Sequence, residues 1–307
     1  MLIGELSALV AALCWAVGSH LFSRVGRAGD VPAGALNLGK CLTAVVMFAV
    51  TAIFATGRLW PALSHGTLGW LVASGVVGLA IGDSAYFGAM ALLGVRRALL
   101  MLSTAPVFAA LGGALFLGES LGARDVAAIV AVLAGVVVVV NEQGVGPGDT
   151  PRGLAITPRA SLMGVLYGLV AGLGQAGGSL MSRVAMSSGL SSLDTAIVRL
   201  VAGIVAMLAI AAATGRLVPW ARTLARPKLA LAIAGSAFVG TYLGMWLSMV
   251  AIGHASSTAV AATLLATSPI FALPLGRWLD RERITARALG GTALAIAGLA
   301  ALTLGKP

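Results

Sequence analysis

The stretch Ser103-Thr104-Ala105-Pro106-Val107-Phe108 sits in an apolar run, and it returns in the second half of the chain as Ala266-Thr267-Ser268-Pro269-Ile270-Phe271. Thirteen residues past each proline stands a glutamate, Glu119 and then Glu282. The surrounding run Ala98–Leu117 and the run Thr258–Leu279 are versions of one another. Other landmarks repeat in the same order: Leu21-Phe22-Ser23-Arg24-Val25 with Leu180-Met181-Ser182-Arg183-Val184, and Thr56-Gly57-Arg58-Leu59-Trp60-Pro61 with Thr214-Gly215-Arg216-Leu217-Val218-Pro219. Lys40 falls opposite Arg199. A duplicated and very apolar chain reads first as a membrane transporter built of two related halves.

The composition sets the solvent. The chain is 59% hydrophobic and 10% charged, whereas a soluble domain carries about 25% charged residues to cover its surface. Apolar runs of roughly 20 residues match the length an α-helix needs to cross ~30 Å of hydrocarbon. The net charge of +10 does not point to nucleic acid, because the basic residues stand singly at the ends of apolar runs and form no stripe with interleaved aromatics. Cys14 and Cys41 lie inside apolar runs, which supports neither a disulfide nor a metal site. No cofactor signature is present. The start of the chain, with no basic flank before its first apolar run, reads as an uncleaved first span.

Ten spans are expected, at 4–24, 33–55, 68–91, 97–117 and 124–141, then 161–183, 193–213, 228–251, 258–279 and 286–304. This makes an all-α integral membrane protein with a first five-helix repeat over 1–141, a Gly/Pro-rich linker over 142–160 and a second repeat over 161–307. An odd number of spans per half inverts the second repeat in the membrane. Gly78/Gly82 and Gly240/Gly244 are four apart at matching positions, and Gly164, Gly168 and Gly172 share that spacing; small residues so placed let helix backbones approach closely in lipid. Pro106 and Pro269 each free the carbonyl four residues earlier, so each is expected to kink its helix, either statically or as a flexing point beside a cavity.

Charges within the spans are the pointers to mechanism. Lys40 and Arg199 lie about two turns into their spans and Asp83 near the middle of its own, where an isolated charge costs ~3 kcal/mol. The two cations either reach back toward the interface or attract an anionic group such as a carboxylate. Asp83 is too short to reach back. It binds an ammonium, exchanges a proton (a carboxylate withdrawn from water accepts one more readily), or neutralises Lys40 or Arg199. Trp60, Trp70 and Trp220 fit as interfacial anchors, and His20 as a packing histidine.

Several of these residues match a known pattern. Trp15-Ala16-Val17-Gly18-Ser19, the two proline motifs, Leu117-Gly118-Glu119-Ser120-Leu121 and Asp280-Arg281-Glu282-Arg283-Ile284 together resemble the drug/metabolite transporter superfamily, in particular its EamA-like members. The resemblance covers nearly the whole chain. It implies a secondary transporter that exports small metabolites (amino acids, organic acids or drugs) by alternating access, with peripheral fifth and tenth spans. It also implies a cavity between the halves, around which Trp15, Asn37, Tyr86, Gln175, Tyr242 and Trp246 fall. Gln175 departs from it by standing where the first half has Trp15. The implied partners are the lipid bilayer, a small-molecule substrate and protons as coupling ion; the Arg-, Ala- and Gly-rich composition fits a bacterial inner membrane.

Two other classes compete. A flippase for a lipid-linked or amphiphilic metabolite shares the architecture and needs a lateral opening. A membrane-embedded enzyme needs a nucleophile with a base, an acid pair or a metal cluster. His20, His65 and His254 are scattered, no second carboxylate accompanies Asp83 within a span, and Ala80 replaces the first glycine of a Gly-x-Gly-Asp protease signature.

The charge pattern and the resemblance disagree on orientation. The side carrying both termini holds Arg58, Arg124, Arg183 and Lys306, while the opposite side holds far more basic residues, among them Arg24, Arg27, Arg96, Arg97, Arg222, Arg226 and Lys228. Basic flanks favour the cytoplasm, so the termini are predicted outside it, whereas EamA-like proteins keep them inside. A reporter active only in the cytoplasm, fused after Pro307, is expected to stay silent; a strong signal reverses the orientation.

Overall fold

The computed structural model describes residues 2–116, 121–141, 158–254, 264–279 and 284–304, and every regular element in them is helical. The first half contains α1 (Leu2–Ala28), α2 (Ala33–Thr56), α3 (His65–Leu93), α4 (Val95–Leu102), α5 (Ala105–Phe116) and α6 (Ala123–Val140). The second contains α7 (Pro158–Met186), α8 (Ser192–Ala213), α9 (Leu217–Leu224), α10 (227–254), α11 (Ser268–Leu279) and α12 (Ala286–Leu304). Among the described residues, eight helical spans are long and apolar enough to cross a membrane, one of them made of α4 and the start of α5, and α12 adds a shorter apolar run. All-helical architecture is what hydrocarbon imposes, since each backbone polar group must find its partner within its own segment. The linker expected over 142–160 is described only at 158–160, which open α7; the acidic turns with Glu119 and Glu282 lie outside the described residues.

The halves pack in a crossed manner. α1 runs along α10, and α7 runs along α3; α1 also meets α11, as α7 meets α4 and α5. α2 pairs with α8, and α6 with α12. Each of these contacts between halves has a mate when the halves are exchanged, which is the pairing produced by a pseudo-two-fold axis in the membrane plane. α6 and α12 pack chiefly on each other, through Gly135 against the Gly291 carbonyl and Gly298 against Ala128 and Val132.

Glycine makes the crossed pairs close. A Cβ on Gly178 would stand 2.8 Å from the Cα of Gly78, and one on Gly174 would stand 2.7 Å from the Cα of Gly82. The mate contact joins Gly18 and Gly240, where a Cβ on Gly240 would lie 2.7 Å from the Gly18 Cα. Ser74 Oγ donates to the Gly178 carbonyl at 2.6 Å and contacts Ser182 Oγ at 2.8 Å, adding a polar tie where no water competes. The repeated Thr-Gly-Arg-Leu motif ends α2 and α8 in the same way: Gly57 and Gly215 adopt φ of 70° and 68°, a left-handed stop that a side chain disfavours.

Three features depart from the expected spans. The fourth span is two helices, α4 and α5, joined at Ser103 and Thr104. There Thr104 Oγ1 donates to the Met101 carbonyl at 2.6 Å, as Thr267 Oγ1 does to Leu264 at 2.6 Å, so the turns before Pro106 and Pro269 are capped alike. The third and eighth spans each contain a π-helical stretch, Gly75–Asp83 and Phe238–Leu243. Hydropathy does not distinguish an i→i+5 ladder from an i→i+4 one, and such stretches recur at functional places in helices. Finally, α9 follows the second Thr-Gly-Arg-Leu motif, where the first half has an irregular turn. It buries Trp220 against Gly34, so Trp220 is a packing residue rather than an exposed anchor.

Gly178→Ala tests the crossed packing. In an open helix the change gains up to about 1 kcal/mol. Here the methyl meets backbone, and overpacking of this kind costs about 1–3 kcal/mol. The variant is expected to melt at lower temperature than the parent protein in detergent. Gly235→Ala, where nothing lies within 4 Å, is expected to melt no lower than the parent protein.

Candidate functional site

Asn37, Lys40 and Cys41 occupy positions i, i+3 and i+4 of α2 and therefore share one face. Asp83 and Phe87 stand four apart on α3 and form the facing wall. Lys40 Nζ donates to Asp83 Oδ2 in an ion pair whose side chains are 9% and 22% exposed, so the lysine is used inside the bundle and does not reach back to the interface. Its ammonium also lies 5.5 Å from the centroid of the Phe87 ring, which adds a cation–π attraction.

Asn37 is fully buried and anchors the pair's surroundings. Its Nδ2 donates to the Leu79 carbonyl at 2.8 Å, inside the π-helical stretch, and lies 3.0 Å from Ser84 Oγ and 3.3 Å from Met207 Sδ. Cys41 Sγ meets Asn37 Oδ1 at 3.6 Å. The π-helical backbone of α3 is thus tied to α2 and α8 through one amide. Tyr86, also buried, contacts Ser19 Oγ at 2.9 Å, and Ser19 donates to the Trp15 carbonyl at 2.7 Å. A hydroxyl chain therefore links α3 to α1 beside the ion pair.

Arg199 enters from α8. Its Nη2 lies 3.2 Å from where a Cβ on Gly78 would be, at the start of the π-helical stretch. Its Nε is buried and has no hydrogen-bond acceptor. Gly78 stands five residues before Asp83 in the same π-helical stretch, one i→i+5 turn away. The second cation thus stands beside a carboxylate that Lys40 already holds.

The other expected positions stand on α1, α7 and α10. Tyr242 on α10 contacts Thr51 Oγ1 at 2.7 Å, and its ring sits 5.1 Å from Phe48 and 5.9 Å from Phe238. Trp246 continues this aromatic row, 6.3 Å from Tyr242, and is exposed. Trp15 is half-buried with its indole against Gly244. Gln175 is exposed on α7, one residue from the Gly174–Gly82 contact. Ser19, Ser84, Phe87 and Met207 are members of the polar cluster that sequence reasoning did not single out. The spacing of Ser84 and Phe87 from Asp83 is the signal that could have found two of them. Arg96 and Arg97, counted above as flanking charges, are buried in the first turn of α4.

A cavity of about 310 Å³ opens at the membrane face that carries the termini, lined by residues that include Arg58, Ser64, Thr67, Ser188 and Asp194. A second, of about 500 Å³, lies at the opposite face beside Gly29 and Arg226–Leu229. Among the described residues no group of three or more His, Cys, Asp or Glu could hold a metal ion.

The EamA-like transporter family model matches residues 2–141 and again 162–304, once per half. The chain belongs to the EamA-like transporter family. It is accordingly a multi-pass membrane transporter of the drug/metabolite transporter superfamily, a family of transporters rather than enzymes. An uncharacterized protein of Pseudomonas aeruginosa is 33% identical over 137 residues, which is 44% of this chain and 45% of that protein. The matched region thus spans a little under half of that relative. A solved crystal structure superposes with a TM-score of 0.62 at 20% identity, over 98% of this chain and 96% of its own; that likeness is one of fold.

Proposed function

We propose that the chain is a secondary transporter that exports a small polar metabolite across a bacterial inner membrane by alternating access, with the Lys40–Asp83–Arg199 cluster as its binding and coupling site. The observation that carries this reading is the ion pair between two spans with a second cation close by. Charges are costly in hydrocarbon, and a buried pair adds little stability over apolar packing of the same volume. Retaining three of them where α2, α3 and α8 meet supports a functional reason. Export is the direction that the family resemblance implies.

Each component has a role that its chemistry permits. Arg199 attracts the anionic part of a substrate, and Lys40 is available to do so only when Asp83 gives up its charge. Asp83, the carboxylate of the cluster, is the candidate for exchanging a proton, and losing its charge would release Lys40. Tyr86, Asn37 and Trp15 border the cluster and give it shape, while Gln175 stands exposed on α7 and Tyr242 and Trp246 stand on α10. The junctions before Pro106 and Pro269 are capped by hydroxyls rather than by continuous helix, which suits them to bending as the halves rock.

The test is flux in proteoliposomes under an imposed pH gradient. Asp83→Asn is expected to reach the membrane in amounts near those of the parent protein and to lose gradient-driven transport about tenfold or more, roughly 1.4 kcal/mol of stabilisation in the transport cycle. Flux at the parental rate across the pH range would rule out coupling at Asp83.

A further inference from the structure

The charges at the centre of the bundle do not balance, and the repeat shows where the imbalance arises. Lys40 in the first half has Arg199 as its mate in the second. Asp83 follows Gly82, and the residue after the matching Gly244 is Met245. The cation was kept in both halves and the acid stands in one. Lys40 holds the Asp83 carboxylate. Arg199 Nη2 lies against Gly78, five residues before Asp83 in the same π-helical stretch, and no acceptor meets the buried Arg199 Nε. Among the described residues, two cations against one carboxylate leave one positive charge where α2, α3 and α8 meet.

A guanidinium is permanently charged and presents its N–H donors in a planar fork. A buried donor without an acceptor is costly, and the partner that best fits the fork is a carboxylate bound through both oxygens. The Nη2 end of Arg199 lies against Gly78 in the π-helical stretch of α3, so a group bound there would sit between α3 and α8, next to the pair.

We propose that Arg199 binds the carboxylate of a monoanionic organic acid, while the Lys40–Asp83 pair stays closed beside it. This rests on the transporter reading above and narrows its substrate class. A monocarboxylate brings one negative charge and two acceptor oxygens, and its arrival makes the cluster neutral. A zwitterionic amino acid brings in addition an ammonium, and the carboxylate that would receive it is already held by Lys40. A lipophilic cation adds to a charge that is already positive and finds no free acid in the cluster.

The experiment uses the full chain in lipid nanodiscs, with binding of radiolabelled lactate, benzoate, succinate, alanine and tetraphenylphosphonium. Lactate or benzoate is expected to bind more tightly than alanine or tetraphenylphosphonium. Arg199→Gln is expected to weaken that binding by about 10- to 100-fold, the range for losing a hydrogen bond to a charged group. Arg199→Lys keeps the charge without the fork and is expected to weaken it less. Asp83→Asn releases Lys40 as a second cation and is expected to shift preference toward succinate. That variant decides the matter if Arg199→Gln does not fold. The proposal is overturned if neither monocarboxylate binds, if alanine or tetraphenylphosphonium binds as tightly, if Arg199→Gln leaves monocarboxylate affinity unchanged, or if Asp83→Asn leaves the preference for monocarboxylate over succinate unchanged. Proteoliposome flux separates the two readings. Arg199-dependent lactate binding without lactate flux removes the transport reading and leaves this one standing. Flux of alanine or tetraphenylphosphonium without carboxylate binding does the reverse.

Discussion

A lysine and an aspartate facing each other across two helices in the interior of the bilayer constrain everything around them. Neither charge is stable there alone. Their attraction is strong because little water screens it, and it offsets desolvation only while the geometry holds. α2 and α3 must therefore keep their relative rotation and height. Asn37, which donates to the Leu79 carbonyl, fixes that height, and the π-helical stretch of α3 sets the direction in which Asp83 points. The glycine contacts of α7 with α3 hold the π-helical stretch at close range.

The two halves supply the same framework with different chemistry. Crossed packing, paired π-helical stretches, matched left-handed glycines and matched hydroxyl caps show that the backbone follows the pseudo-two-fold axis. The side chains within reach of the axis do not. By the alignment of the repeats Asp83 has Met245 as its counterpart, Trp15 has Gln175, and Tyr242 has Ala80. Symmetric helices allow alternate exposure of one place to either face, while asymmetric side chains let that place hold an asymmetric molecule.

Much of this was legible in the sequence, and for identifiable reasons. The proline motifs repeat at fixed order, and hydropathy marks where hydrocarbon must be crossed, so the repeat and the spans follow from them. Asp83, Lys40 and Arg199 stand out because ionisable residues are rare in such runs. Their pairing was not legible, since it depends on how α2, α3 and α8 are rotated about their axes, and an i→i+5 stretch alters that rotation without changing the apolar pattern. Trp220 was misread because its anchor-like place at a span end is overruled by a short helix that folds it onto Gly34. Arg96 and Arg97 likewise look like flanking charges but are buried, which a list of basic residues at span ends does not reveal.

The ion pair that Lys40 makes with Asp83 requires a carboxylate, not a carboxylic acid, inside the membrane. Infrared difference spectroscopy of the reconstituted protein at neutral pH, with Asp83→Asn as reference, reads that state directly. The account predicts that the difference spectrum loses a carboxylate band. Loss of a protonated carboxylic-acid band in its place would contradict it.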